Sequence, residues 1–286
     1  MTKVAFLGLG RMGAPMAGHL ASKGHDVTVF NRTGAKAQDW AKAHRGRVAP
    51  SAAAAADDCE IVFACLGDDP DVRAVTADVF PAMKRAAIFV DHTTTSASLA
   101  RELSRDAAKR GLHFIDALVS GGEAGAQKGQ LTVMCGGEPE AFTRAEPVIA
   151  AFAKMTKLMG PAGSGQLTKM VNQICIAGVV EGLAEGLHFA KSAGLDPLAV
   201  VDVISKGAAQ SWQMENRSAM MVENKFDFGF AVEWMRKDLR IALAEARANG
   251  AQLPVTALVD QFYAEIERIG GKRWDTSSLI ARLKNS

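Results

Sequence analysis

Aromatic residues and charge of one sign are both scarce in this chain of 286 residues. Only 6% of the residues are aromatic, and 33 Lys and Arg nearly balance 31 Asp and Glu, for a formal net charge of +2. A nucleic-acid-binding surface needs a basic stripe or patch, which this balance does not predict. We therefore expect no nucleic-acid partner.

The chain also lacks the sequence marks of a membrane or secreted protein. No stretch of about 18 apolar residues is free of charges, as a spanning helix requires. The first ten residues, Met1–Gly10, carry neither the basic region nor the cleavage site of a secretory signal. We expect no membrane partner and a cytoplasmic location.

Cysteine is used sparingly and without a pairing pattern. Cys59, Cys65, Cys135 and Cys175 form no CxxC pair, which predicts reduced core thiols, no disulfide and no cysteine metal site. One Glu-x-x-His sequence ends at His188, but carboxylate-bridged metal sites use two copies on facing helices. We predict no metal.

What the chain does contain is an alternation of short β runs and helical segments over its first part. Val4–Leu7 and Asp26–Phe30 flank a glycine-rich turn and a helical segment, which together make a βαβ unit. Further β runs near Ile61, Ala87 and His113 alternate with helical patterns. This order predicts a doubly wound α/β sheet, that is, a Rossmann domain.

The texture changes after the Gly and Pro cluster at residues 160–165. A long helical pattern runs from about Gln166 to Ser192, and the segments beyond it also have helical periodicity. We predict a Rossmann domain over residues 1–162 and an all-α domain over residues 163–286, which begins with a long interdomain helix. Apolar helices of this kind also predict a homodimer or homotetramer.

The glycine-rich turn follows the first strand and opens the first helix. It consists of Gly8, Leu9, Gly10, Arg11, Met12 and Gly13. Glycines in this context let the backbone turn tightly and approach a pyrophosphate, whose charge is met by the helix N-terminus. We predict that these six residues bind a dinucleotide; a glycine turn with a purely structural role is the alternative.

The end of the second strand bears on the choice of nucleotide. NAD-binding domains place an acidic residue there for the ribose 2′-OH, whereas this chain has Asn31, Arg32 and Thr33. A guanidinium beside hydrogen-bonding side chains suits a 2′-phosphate. We predict that the three residues favour NADP(H), with NAD(H) possible; an ordinary surface arginine is the alternative for Arg32.

Four segments together resemble one enzyme family. The run Gly8–Met16 looks like the N-terminal signature of the β-hydroxyacid dehydrogenases, the 3-hydroxyisobutyrate dehydrogenase family. Asp116–Gly122 resembles its substrate-binding segment, Gly163–Asn172 its catalytic segment and Lys237–Leu239 its C-terminal cofactor segment. The resemblance covers nearly the whole chain, with two departures: Leu118, where the family usually has proline, and His19, where it often has asparagine.

The resemblance implies roles for individual residues. Lys169 matches the family's catalytic lysine, which takes the proton of the substrate hydroxyl as hydride leaves the same carbon. Asn172 lies three residues further on, on the same helical face, and would hydrogen-bond the substrate. The segment Ser120, Gly121 and Gly122 would hold the substrate carboxylate. A surface lysine with a polar neighbour, and loop glycines without a ligand, are the alternatives.

Four more residues are expected at the cofactor. Cys65 and Leu66 follow one strand and Thr94 follows the next, at the carboxyl edge where such sheets bind ligands. By family likeness these three line the cofactor, and Lys237 reaches it from the helical domain. Loop packing and a surface lysine are the alternatives.

These observations predict an oxidoreductase that transfers hydride between NADP(H) and a small 3-hydroxy acid, or the corresponding semialdehyde. One alternative is a dinucleotide-binding interaction module without turnover, against which the joint presence of Lys169, Asn172 and Ser120–Gly122 argues. Another is an imine reductase of the same architecture, in which the lysine is usually replaced.

Overall fold

A single sheet organises the first part of the protein. The computed structural model describes residues 1–283, and across them eight strands join this sheet. The strands are β1 (Lys3–Leu7), β2 (Asp26–Phe30), β3 (Arg47–Val48), β4 (Ile61–Ala64), β5 (Ile88–Asp91), β6 (His113–Ser120), β7 (Leu131–Gly137) and β8 (Ala153–Leu158).

Helices connect the strands and make up the rest of the described chain. Those among the strands are α1 (Gly13–Ser22), α2 (Gly34–Ala43), α3 (Ala52–Ala56), α4 (Asp69–Val79), α5 (Ala97–Lys109), α6 (Gly122–Gln127) and α7 (Pro139–Ile149). Those that follow are α8 (Ser164–Ser192), α9 (Pro197–Ile204), α10 (Trp212–Glu223), α11 (Val232–Asn249), α12 (Pro254–Arg268) and α13 (Ile280–Leu283). Short 3₁₀ turns lie at Phe80–Ala82, Gly271–Arg273 and Thr276–Leu279.

The strand order is β3-β2-β1-β4-β5-β6-β7-β8. The first six strands in this order pair in parallel, which is the order of a doubly wound Rossmann sheet, so the predicted fold class is confirmed. The alternation did not predict that β6 and β7 pair antiparallel. Only residues 121–130 connect them, and a parallel return needs a crossover of about a dozen residues or more.

Two apolar layers cover the two faces of the sheet. One includes Met16, Leu20 and Phe152 against side chains of β1 and β4. The other includes Leu99 and Phe80 against the opposite side chains of the same strands. Because side chains alternate between faces along a strand, strands buried on both faces are continuously apolar, as β4 is.

The chain divides into two compact units, which meet between Lys169 and Met170. The predicted division at 162/163 falls at the turn before α8, seven residues earlier. The difference has a physical reason: the first two turns of α8 are hydrogen-bonded to the strands of the first unit, through residues such as Gln166 and Lys169.

Apart from the shared helix α8, the described part of the second unit consists of helices around a core of its own. Tyr263, Leu239 and Met221 are fully buried there. Helix α8 is long and apolar enough to cross a membrane by length and composition alone. Its Ala177, Val180 and Leu187 pack into this core, and its Glu181 is paired with Arg282, so we interpret it as a core helix.

No disulfide joins the four cysteines. Cys59 and Cys135 are buried, as predicted for core thiols, and burial raises their pKa values to about 11 and about 12. The prediction is wrong for Cys175, which is exposed on α8, and for Cys65, which is half-buried at the end of β4. Both follow the geometry of their elements, because one lies on an outward helix face and the other beyond a strand end.

Candidate active site

The glycine turn between β1 and α1 is built so that two of its glycines admit no side chain. Gly8 has φ +95°, and a Cβ atom there would lie 2.3 Å from the carbonyl oxygen of Cys65. A Cβ atom on Gly13 would lie 2.0 Å from the carbonyl oxygen of Gly8. The turn is therefore compact because glycine alone fits at both positions.

The middle glycine of the turn faces open space. A Cβ atom on Gly10 would meet nothing within 4 Å, and α1 begins at Gly13 without a side-chain cap. A glycine that leaves room for close approach, followed by a helix N-terminus, is what a pyrophosphate requires. The turn thus fits a dinucleotide.

Asn31 at the end of β2 braces this turn. Its Oδ1 accepts the backbone N–H of Leu9 at 2.8 Å, and its Nδ2 donates to the carbonyl of Thr33 at 2.9 Å. The side chain of Arg32 is 92% exposed, with Nη1 3.5 Å from Oδ1 of Asp71 on α4. Asn31 therefore holds the glycine turn in place, and Arg32 is an exposed charge beside it.

The carboxyl ends of β4 and β5 place the other predicted cofactor residues of the first unit together. Cys65 donates its N–H to the carbonyl of Leu7, and Leu66 donates its N–H to Oγ1 of Thr93 at 2.9 Å. Thr94 follows Thr93 and is half-buried. These residues share one edge of the sheet with the glycine turn, because all three strands β1, β4 and β5 are parallel.

Lys169 is held by the backbone of β6. Alternate residues of β6 turn their backbone groups toward β5, as the bond from His113 N–H to the Ala87 carbonyl shows. Strand β5 ends at Asp91, opposite Asp116, so the carbonyls of Ala117 and Val119 extend beyond it. Nζ of Lys169 donates to the Val119 carbonyl at 3.0 Å.

The neighbouring carbonyl on the same strand has a histidine partner. Nδ1 of His92 donates to the carbonyl oxygen of Ala117, and the ring stacks on Phe63 and meets the edge of Phe152. The imidazole is buried, and desolvation lowers its pKa to about 4. His92 is therefore neutral at pH 7 and supports the strand.

The predicted carboxylate-binding segment begins directly after Val119. Ser120 ends β6, and Gly121 and Gly122 have φ values of +129° and +64°, which favour glycine. A Cβ atom on Gly122 would meet nothing within 4 Å. Nη1 of Arg11, in the glycine turn, lies 3.3 Å from Oε2 of Glu123 at the start of α6, so the two predicted binding segments are linked by an ion pair.

Asn172 and Lys237 belong to the second unit, where a chain of polar side chains connects them. Nδ2 of Asn172 donates to Oε1 of Gln173 at 2.8 Å, and Nε2 of Gln173 donates to Oδ2 of Asp238 at 2.7 Å. Oδ1 of Asp238 lies 3.3 Å from Nζ of Lys237, which also lies over the ring of Trp234. We call this set of four residues the α8–α11 relay: Asn172, Gln173, Asp238 and Lys237.

The residues that support the candidate site lie within the family-like segments, but sequence reasoning gave them no individual role. Asp116, Gln166 and Asp238 are all buried and hydrogen-bonded next to predicted site residues. A signal was present, because Asp116 interrupts an otherwise apolar strand and buried acids are rare unless they are bonded. Which groups these side chains bond required the structure.

Comparisons with known families agree with this geometry. Residues 3–160 match the family described as the NAD binding domain of 6-phosphogluconate dehydrogenase. Residues 163–283 match the family described as NAD-binding of NADP-dependent 3-hydroxyisobutyrate dehydrogenase. Together the two matches span nearly the whole chain.

Individual relatives extend over the full length. An uncharacterized oxidoreductase of Shewanella frigidimarina is 60% identical over 100% of this chain and 99% of its own. The 2-hydroxy-3-oxopropionate reductase of Escherichia coli is 33% identical over 99% and 97%. Among solved structures, 3-hydroxyisobutyrate dehydrogenase of Mycobacterium tuberculosis with L-serine is 33% identical, with a TM-score of 0.91 over 99% of both chains.

Proposed function

The chain belongs to the 3-hydroxyisobutyrate dehydrogenase family of NAD(P)-dependent 3-hydroxyacid dehydrogenases, and we propose that it transfers hydride between NADP(H) and a small 3-hydroxy acid or its semialdehyde. The observation that carries the proposal is the contact between Nζ of Lys169 and the Val119 carbonyl, at 3.0 Å. It puts an amine directly beside the Ser120–Gly122 segment. An acid/base group next to an anion-binding segment suits a substrate that carries a hydroxyl and a carboxylate.

Lys169 is the proposed general acid/base. In the oxidative direction its neutral amine accepts the proton of the substrate hydroxyl while hydride leaves the same carbon. In the reductive direction its ammonium returns a proton to the carbonyl oxygen. The Val119 carbonyl accepts one N–H of Lys169 in either state, so the side chain keeps its direction while its proton count changes.

The substrate is proposed to be held by its carboxylate and by its reacting oxygen. Ser120 offers a hydroxyl, and the two glycines after it expose backbone near it; Asn172 would hydrogen-bond the substrate oxygen. The relative with L-serine and the relative that reduces 2-hydroxy-3-oxopropionate both handle small acids that carry oxygen at carbon 3. Both are consistent with a 3-hydroxy acid or a semialdehyde here.

The cofactor is proposed to be NADP(H), which supplies or accepts the hydride when bound. Its pyrophosphate would lie at the glycine turn beside Gly10, with Cys65, Leu66 and Thr94 along the sheet edge. Arg32 and Thr33 would bind the 2′-phosphate, because Asn31 is engaged in bracing the turn and no carboxylate stands in its place. Lys237 would contribute from α11.

Turnover is tested by following nicotinamide absorbance with a panel of 3- and 4-hydroxy acids and their aldehydes. We expect wild-type turnover and a loss of about 10³-fold or more in kcat for Lys169→Ala, because the proton transfer loses its base. Lys191→Ala, an exposed lysine in the last turn of the same helix, is the control. Equal rates for wild type and Lys169→Ala would refute the role of Lys169.

The same assay separates the rival functions. A ketone supplied with an amine, reduced faster than any hydroxy acid is oxidised, would indicate an imine reductase instead. Cofactor binding without turnover across the panel would indicate a binding module.

Cofactor choice is tested by kcat/KM with NADP(H) and NAD(H). Arg32→Ala should lower kcat/KM for NADP(H) about tenfold and leave NAD(H) nearly unchanged, because one charge-assisted phosphate contact is lost. Asp71→Asn should raise kcat/KM for NADP(H) about twofold, because the carboxylate beside Arg32 no longer repels the phosphate. A preference for NAD(H) that survives Arg32→Ala would contradict the assignment.

We further propose that the protein is a homodimer or homotetramer joined through the second unit. Apart from Asp202, helix α9 consists of apolar residues, yet none of its residues is buried, and Val203 on α9 and Phe189 on α8 are 73% and 71% exposed. Exposed apolar surface of this kind marks an interface. Sedimentation at micromolar concentration should show an oligomer, dissociated by Phe189→Glu with Val203→Glu and unaffected by Met155→Glu in the first unit; a wild-type monomer would contradict it.

A further inference from the structure

We propose that Asp116 is a positioning residue for the reaction, because its carboxylate caps the N-terminus of α8 and thereby sets where Lys169 points. The inference rests on the proposed role of Lys169 as the general acid/base. All the groups involved lie in the first unit: on β6, just after β5, and in the first two turns of α8.

Both oxygens of the Asp116 carboxylate are used by the helix start. Oδ1 accepts the N–H of Gly163 at 2.8 Å, and Oδ2 accepts the N–H of Gln166 at 2.8 Å. Asp116 has no exposed surface. The first N–H groups of a helix lack partners within the helix, and a carboxylate there is also favoured by the helix dipole. Because the carboxylate accepts two separate backbone N–H groups, it fixes the start of α8 both along the helix axis and across it.

The chain approaches this carboxylate so closely that only glycine fits around it. A Cβ atom on Gly165 would lie 2.6 Å from the carbonyl oxygen of Asp116 and 2.8 Å from its Oδ2. A Cβ atom on Gly136, across on β7, would lie 2.6 Å from Oδ1. The cap is therefore enclosed from two sides, and the helix start has no room to shift.

Gln166 provides a second anchor that prevents rotation of the helix. Its Nε2 donates to the carbonyl of Thr93 and to Oγ1 of Thr95, both at 2.8 Å, and its Oε1 accepts the N–H of Thr95 at 3.0 Å. These partners lie just after β5. The first turn of α8 is thus bonded to the middle of β6, at Asp116, and to the residues just after β5.

Lys169 follows Gln166 by three residues, and its tip returns to the strand that caps the helix. Asp116 holds the start of α8, and the Val119 carbonyl, three residues further along β6, accepts from Nζ of Lys169. Strand β6 therefore fixes both the start of the helix that carries Lys169 and the Nζ atom at the tip of its side chain. Since small displacements of a reacting group lower rates steeply, the cap at Asp116 contributes to the rate without touching substrate.

The charge state of Asp116 at neutral pH agrees with this role. Burial raises its pKa to about 6, while the backbone N–H groups at the helix start oppose the rise. The carboxylate is therefore ionised at pH 7 and able to accept two N–H groups at once.

The test compares Asp116→Asn with Glu181→Gln. Asparagine has the same shape, but its NH₂ group must face one of the two N–H donors, so one of the two capping bonds is lost. Glu181 is a buried carboxylate in the same helix, paired with Arg282, and its substitution controls for general weakening of α8.

Two measurements follow each variant. The first is the rate at which a small amine-reactive acetyl ester modifies Lys169, read by mass spectrometry; it does not depend on turnover. We expect it to rise about threefold or more in Asp116→Asn, because the first turns of α8 open more often, and to stay unchanged in Glu181→Gln. The second is turnover: kcat should fall about tenfold in Asp116→Asn with the Kd of the cofactor unchanged, since the lysine is displaced and the glycine turn is not.

The outcomes are distinguishable from failure of the proposed function. An unchanged modification rate of Lys169 in Asp116→Asn overturns the inference, whether or not the protein turns over any acid in the panel. A raised modification rate with unchanged kcat, in an enzyme that Lys169→Ala inactivates, overturns it as well. A protein without turnover refutes the proposed function, while the modification rate still decides whether Asp116 positions Lys169.

Discussion

The two candidate catalytic residues of α8 lie one helical turn apart, and the protein supports them in different ways. Lys169, in the first unit, donates to a backbone carbonyl, and its helix start is capped from the same strand. Asn172, in the second unit, donates to Gln173, which in turn donates to Asp238. Lys169 thus contacts backbone held in the sheet, whereas Asn172 contacts a side chain that is bonded to a second helix.

The difference has a physical meaning. A strand carbonyl cannot move without breaking the ladder on its other side, so a partner bonded to it is held at a fixed point. An amide side chain can rotate and exchange partners, at a cost of one hydrogen bond or less. The proposed base, Lys169, therefore has a partner at a fixed point, whereas Asn172, the proposed partner of the substrate oxygen, contacts a side chain that can rotate.

The largest effect is expected from a substitution at the start of α8, where Asp116 caps the helix that carries Lys169. Gly165→Ala should destabilise the protein by about 3 kcal/mol or more and abolish turnover, because its Cβ atom would lie 2.6 Å from two backbone carbonyl oxygens. Urea unfolding measures the loss. Gly182→Ala is the matched control in the same helix: its Cβ atom meets nothing within 4 Å, so it should stabilise by roughly 0.5 to 1 kcal/mol. Equal effects of the two changes would contradict the enclosed helix start.

A second prediction concerns the pH dependence of the stability contributed by two buried groups, Asp116 on β6 and His92 just after β5. His92 has a folded-state pKa of about 4, below its ordinary 6.5, so it removes stability as the pH falls from about 6.5 to 4. Asp116 has a folded-state pKa of about 6, above its ordinary 3.8, so it adds stability as the pH falls from 6 to 4. In the wild type the two contributions oppose each other.

His92→Gln keeps a donor for the Ala117 carbonyl but cannot be protonated. The substitution should therefore leave the contribution of Asp116 to the pH dependence of stability unopposed. Relative to wild type, its free energy of unfolding should increase by about 3 kcal/mol between pH 7 and pH 4. Urea unfolding at several pH values measures this, with His188→Gln in the second unit as the control. If the free energy of unfolding depends on pH in the same way in wild type and in His92→Gln, His92 does not stay neutral in the folded protein.

The smallest effect is expected from substitutions in the α8–α11 relay, where Gln173 contacts both Asn172 and Asp238. Asp238→Asn keeps one oxygen for Gln173 but loses the charge beside Lys237, and should cost about 1 kcal/mol with a smaller loss of kcat than Asp116→Asn. The double variant with Gln173→Met should lose less than the sum of the single losses, because both act on one contact. Strict additivity would mean that the α8–α11 relay does not exist as a coupled unit.

Much of the fold could be predicted because it depends on local pattern. The alternation of β runs and helices and the long helix from about Gln166 are readable from spacing and composition; the structure begins that helix, α8, at Ser164. The antiparallel pairing of β7 with β6 was missed, since a connection's length constrains topology only once both strands are known. Cys175 was misassigned to the core because an apolar helix still has an outward face.

The candidate site divides along the same line. The sequence by itself determined the residue types: the spacing of Gly8, Gly10 and Gly13, the absence of an acid at Asn31, and the lysine in a helix after Gly163, since backbone freedom and charge are properties of single residues. Only the tertiary structure decided what those residues bond. Asp116 and Lys169 are 53 positions apart along the chain. Because β6 extends beyond the end of β5, its last carbonyls on that side accept hydrogen bonds from side chains that no local sequence pattern specifies.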